Sequence, residues 1–133
     1  MSITRFGVSL PQELIERFDR HIISKNYSSR SEALRDLIRK ALIDKEIESN
    51  KTVLGVLHLL YDHHQRELSD KLIAVQHDHH NLIISSTHVH LSHDDCLEVI
   101  LLKGKVKNIK YLSERMLAVK GVKSGKLFMT AVV

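Results

Sequence analysis

Ten histidines stand in this chain of 133 residues, and nine of them fall between His58 and His93. Neutral imidazole is the commonest metal ligand among protein side chains. In the run Thr87-His88-Val89-His90 the two imidazoles alternate with other residues. On a strand both rings therefore project from one face, with Cβ atoms about 7 Å apart. Cys96, the only cysteine, follows just beyond the turn signal Ser92-His93-Asp94-Asp95. If the chain folds back there, Cys96 comes close to His90, and two imidazoles and a thiolate converge at one edge. That donor set suits nickel, copper or zinc, and a planar four-coordinate site favours nickel(II) or copper(II). The alternative is a hydrogen-bonded surface cluster without metal.

A fourth ligand has to come from the remaining histidines. With residues 81 to 88 extended, His88 lies about 23 to 26 Å along the strand from the end of the preceding helix. His77, at that helix end, then reaches His88 only from another subunit. His63 and His64, at the other end of the same helix, are the competitors within one chain. Together with His79, His80 and His93 they either form a second, weaker site or remain solvated loop and helix-end residues. Asp94 and Asp95 read first as turn formers. No carboxylate stands as a general base beside an open metal position, so metal-assisted hydrolysis is the weakest reading.

The elements that must position these residues follow from periodicity. Val53 to Tyr61 is apolar and strand-like, and residues 64 to 77 are helix-like with Leu68, Leu72 and Val75 in phase. Leu82 to Leu91 and Cys96 to Leu102 make a strand pair. Ile109, Leu112, Met116 and Val119 mark another helix closed by Gly121, and Leu127 to Val132 supplies a last strand. Strand-helix-strand twice over is the split βαβ pattern of ferredoxin-like, ACT-type domains.

The first 48 residues follow a different plan. Residues 4 to 10 place Phe6, Val8 and Leu10 on one face and Arg5, Gly7 and Ser9 on the other, a strand's period of two. Helices are predicted over about 11 to 24, opening at Pro11, and from near Arg30 to about Glu48, where Ser29 and Glu32 match a capping box. A lone strand cannot stand by itself. Pairing with the same strand of a second chain, over four helices, gives a ribbon-helix-helix dimer whose ribbon fits the major groove. Arg5, Gly7 and Ser9 would face the bases, and the amides at Ser29 could hold a phosphate. The bland alternative is a dimerisation hairpin with a polar outer face. Gly7 reads no base and weakens a strand.

The chain thus reads as α+β: an N-terminal ribbon-helix-helix domain over 1–48, a short linker over 49–52, and a ferredoxin-like βαββαβ domain over 53–133. A formal charge of +4 permits an anionic partner without demanding one. One cysteine excludes an intrachain disulfide framework, and there is no apolar run of signal-peptide or membrane-span length. A reducing cytoplasm fits best.

The stretches Arg30-Ser31-Glu32-Ala33-Leu34-Arg35-Asp36, Gln76-His77 and Thr87 through Glu98 resemble the nickel-responsive ribbon-helix-helix regulators, the NikR family, across essentially the whole chain. The resemblance implies a planar nickel(II) site of His88, His90 and Cys96 from one subunit with His77 of a neighbour. It implies a homotetramer, a dimer of dimers with four ACT-like domains at its centre, that binds palindromic half-sites in double-stranded operator DNA and represses nickel-uptake genes. It further implies that Glu32 and Asp36, one helical turn apart, hold potassium at the domain interface; the alternative is an exposed acidic stripe. Gly7 departs from the Thr or Ser expected in the base-reading strand. The rival functions are a copper- or zinc-responsive regulator on the same scaffold, and a metal storage or delivery protein whose amino-terminal module merely dimerises.

Overall fold

The structure is a computed structural model describing residues Met1–Val133. Its contacts separate two compact units, Met1–Ala41 and Leu42–Val133.

The first unit is built on α1 (Gln12–Ser24) and the start of α2 (Arg30–Glu48). Pro11 caps α1 rather than occupying its first turn, and its carbonyl accepts from the amides of Leu14 and Ile15. Arg30 closes the helix pair with a two-pronged hydrogen bond to Asp19 at 2.8 and 2.9 Å. The expected capping box is split between two residues. Ser29 Oγ accepts from the Glu32 amide, but the Glu32 carboxylate reaches back to Ser28, accepting from its amide and its hydroxyl.

Residues 4–10 form no strand in the single chain. Phe6, Val8 and Leu10 are 72, 54 and 40 % exposed, and the apolar stripe of Leu14, Leu37, Ile38 and Leu42 is about half exposed as well. Only Ile22 and Ala33 are buried in these two helices. The physical reason is that a lone strand finds neither ladder partners nor a cover for its apolar face within this chain.

The second unit is a four-stranded antiparallel sheet in the order β2-β3-β1-β4, with β1 Thr52–Asp62, β2 Ile83–His90, β3 Asp95–Lys105 and β4 Val122–Thr130. β1 and β2 are joined through α3 (Arg66–Asp78), and β3 and β4 through α4 (Val106–Leu117). This is the split βαβ order the periodicity implies, with three adjustments. A short 3-10 turn, His80–Leu82, precedes β2; α4 ends before Val119; and β4 starts five residues earlier than Leu127. Gly121, at φ 103°, turns the chain into β4 in a conformation that costs a side-chain-bearing residue. The core lies between the sheet and its two helices, where Leu57, Leu59, Ile100, Leu102, Ile109, Leu112 and Met116 are fully enclosed.

Candidate metal centre

β2 is an edge strand, hydrogen-bonded only to β3. In that register His90 faces Cys96 and His88 faces Glu98. Directly opposed residues share a face, and on β3 Cys96, Glu98, Ile100 and Leu102 all point into the core. Both histidines therefore lie over the helical face of the sheet, at its open edge, as the alternation requires.

Of the two histidines, His88 is the one in hydrogen-bond range of the thiol. Its Nδ1 lies 3.9 Å from Cys96 Sγ and 3.4 Å from the Tyr61 hydroxyl. Cys96 is buried, whereas the His88 side chain is half exposed. His90, opposite Cys96 in register, leans towards His63, with ring centroids 4.5 Å apart. The nitrogen–sulfur separation is below the sum of the two ligand bonds to a zinc-like ion, about 4.4 Å, so one ion can touch both atoms. Soft thiolate and borderline imidazole suit nickel, and this donor set fits it.

Beneath the histidines lies a group that the sequence reading did not single out. Glu98 is 1 % exposed and is the one buried carboxylate of the chain. Its Oε1 accepts from Tyr61 at 2.9 Å, and its Oε2 from Ser86 at 2.7 Å and Gln76 at 2.9 Å. His88 Nε2 stands 3.4 Å from the same Oε2. Burial, and then the neighbouring Glu98 charge, push the Tyr61 phenol well above the ordinary tyrosine range. The signal was present in the strand pattern: in Cys96-x-Glu98-x-Ile100-x-Leu102 a charged residue occupies an inward position.

His77 does not join His88, His90 and Cys96. Its carbonyl accepts from His80 Nδ1, and the two rings are 6.4 Å apart on the exposed side of the helix end. The 23 to 26 Å measured along the extended strand, however, overstates the separation of the elements. Gln76, one residue earlier, reaches Glu98 directly beneath His88. The last turn of α3 thus comes near the strand, and the direction of its side chain sets His77 apart, as much as chain length does.

The five histidines considered for a second site divide into two groups. His63, His64 and His93 gather around the turn between β2 and β3, where His63 and His64 both bring Nε2 to the carbonyl of His93, at 2.7 and 2.8 Å. His64, His93 and Asp94 offer ligand atoms within 4.8 Å of one another, all exposed. His79 and His80 lie elsewhere: His79 Nε2 accepts from Arg115 at 3.2 Å, and His80 pairs with His77. Asp95 closes the turn as expected, its carbonyl accepting from the amides of Leu91 and Ser92, and its carboxylate pairs with Lys123.

Arg5, Gly7 and Ser9 lie exposed on the uncoiled N-terminal segment, and Ser29 at the start of α2. Glu32 and Asp36 already have local partners. Asp36 accepts from Tyr27 at 2.7 Å, and the Ser28 hydrogen bonds hold the Glu32 carboxyl below its ordinary range.

The paired helices of the first unit and the cysteine–imidazole edge of the second fall in the two segments that family comparison assigns to a DNA-binding, metal-dependent transcriptional regulator. Residues 54–130 match the family described as NikR C terminal nickel binding domain, and residues 4–45 match the ribbon-helix-helix proteins of the copG family. The chain belongs to the nickel-responsive regulators. A relative of that name from Solidesulfovibrio magneticus is 52 % identical over 92 % of this chain and 89 % of its own length. Another from Thermococcus kodakarensis is 50 % identical over 98 % and 95 %, and one from Desulfotalea psychrophila 48 % over 97 % and 95 %. A solved structure of an uncharacterized protein from Thermotoga maritima shares the fold alone, at TM-score 0.54 and 14 % identity, over 59 % of this chain and 98 % of that one. Nickel dependence and DNA binding follow from the family. No helix is long and apolar enough to cross a membrane.

Proposed function

We propose that this regulator is a cytoplasmic homotetramer that represses nickel-uptake genes when nickel(II) is bound by His88, His90 and Cys96 of one subunit with His77 of a neighbour. The observation that carries the reading is the 3.9 Å approach of His88 Nδ1 to Cys96 Sγ at an open sheet edge. His88 and Cys96 meet there, His90 faces Cys96 in the strand register, the flank is a sheet edge, and the His77 ring of the same chain packs near His80 instead. A site completed by a second chain makes metal binding and assembly one equilibrium. The half-exposed apolar segment 4–10 asks for the same strand of a partner, giving a ribbon that presents Arg5, Gly7 and Ser9 to each palindromic half-site and phosphate to the Ser29 end of α2.

Two accessory sites complete the reading. Glu32 and Asp36 take potassium once their carboxylates turn from Ser28 and Tyr27. His63, His64 and His93 take a second metal weakly; His79 and His80 stay outside it. The domains follow the limits 1–48 and 53–133, with 49–52 between them.

A gel-shift titration with nickel, zinc and copper at fixed salt tests the switch. Nickel is expected to raise operator affinity most. No nickel-dependent gain would sink the switching claim, and a larger gain with copper or zinc would reassign the metal. Reporter transcription in cells with and without added nickel tests the sign of regulation.

A further inference from the structure

We propose that Glu98 is the positioning residue of the metal centre: it keeps the ring proton of His88 on Nε2 and so leaves the Nδ1 lone pair facing Cys96. The inference rests on the assignment of His88 and Cys96 as ligands.

The core alone gives no reason for a carboxylate at this place, where an apolar side chain would pack at no desolvation cost. Glu98 instead gathers donors from three elements: Tyr61 from β1, Gln76 from α3 and Ser86 from β2. Tyr61 has one proton and donates it to Glu98 Oε1 at 2.9 Å. It therefore has none to give Nδ1 of His88, although it lies 3.4 Å away.

The other ring nitrogen decides the tautomer. His88 Nε2 stands 3.4 Å from Glu98 Oε2. A lone pair there would lie beside the oxygen of a buried carboxylate, which repels it, whereas an N–H is attracted to it even though the His88 side chain is half exposed. The competing form, with Nδ1–H directed at the Tyr61 oxygen, gains one long contact to a neutral acceptor and incurs that repulsion. With the proton on Nε2, Nδ1 offers its lone pair towards Cys96 Sγ, 3.9 Å away. His88 Nδ1 and Cys96 Sγ would then hold the metal, Cys96 as a thiolate whose S–H proton would pass to solvent. Gln76 extends the same hub to the last turn of α3, so the carboxylate also sets the place of the residue before His77.

Long-range proton–nitrogen correlation spectra of the metal-free protein at about pH 8, where imidazole is neutral, read the tautomer directly. His88 is expected to carry its proton on Nε2, and a proton on Nδ1 overturns the proposal. Glu98→Gln keeps the volume and removes the charge. In that variant, shown to be folded by circular dichroism, His88 is expected to populate both tautomers and nickel affinity to fall about 10- to 100-fold. A folded variant with the original tautomer and affinity overturns the proposal equally. Should the variant not fold, the spectrum of the unaltered protein decides. His88→Ala separates the underlying assignment: unchanged nickel binding there removes His88 from the ligands, whatever its tautomer.

Discussion

Two side chains on neighbouring strands, Tyr61 and Cys96, approach the same nitrogen of His88, and their chemistries predict different behaviour. In the proposed site Cys96 supplies the thiolate, so Cys96→Ala is expected to abolish the thiolate-to-nickel absorption band; a retained band with unchanged affinity would take Cys96 out of the site. Tyr61 is held neutral, chiefly by burial and next by the Glu98 charge. An unfolded tyrosine loses its proton near its ordinary value of 10.0, so above that pH the folded state binds a proton that the unfolded state has lost. The stabilisation is complete below that value and declines as pH rises beyond it. Melting temperatures should therefore fall as pH rises above about 10, less steeply in Tyr61→Phe. Reversible ionisation of all three tyrosines in the folded protein would contradict this. Cys96, His88 and His90 were legible as residue types at strand spacing. Glu98 was not read as part of the site, because an inward charge acquires meaning only from the donors that meet it.

At the scale of elements, alternation and helical phase located both helices of the first unit and every strand and helix of the second, while their ends shifted by a few residues. β4 is the clearest case. Its early half, Val122 to Lys126, carries few apolar residues and is a strand because it pairs with β1. Gly125 lies in that half, where an added Cβ would collide with the His58 carbonyl and the Leu117 side chain. Gly125→Ala is expected to destabilise by roughly 1 to 3 kcal/mol, read from the urea midpoint; an unchanged midpoint would show that β4 yields there. The N-terminal segment makes the opposite point, since its alternation is strict and yet no ladder forms in one chain. Phe6→Asp places a charge on the face that a partner must cover. Sequence-specific DNA binding should disappear while nickel binding persists, and a variant that still binds operator would argue against the paired ribbon.

At the scale of the whole molecule, nickel and DNA must be linked reciprocally. If nickel raises operator affinity by some factor, operator must raise nickel affinity by the same factor. Equilibrium nickel titrations with and without operator DNA, compared with gel shifts at the same salt, check this, and unequal factors would mean that a further equilibrium, such as assembly, is being counted in one measurement. The sequence by itself determined the kinds of donor, their strand spacing, the order of the elements and the family, because these depend on periodicity and residue type along the chain. The tertiary structure decided which donors meet. Pairing of β2 with β3 brought His88 to Cys96, and inward burial made Glu98 a hub for three elements. At the end of α3 His77 lies exposed beside His80, apart from the contact between His88 and Cys96. Those outcomes depend on side-chain direction and on contacts between distant segments, which spacing along a chain does not encode.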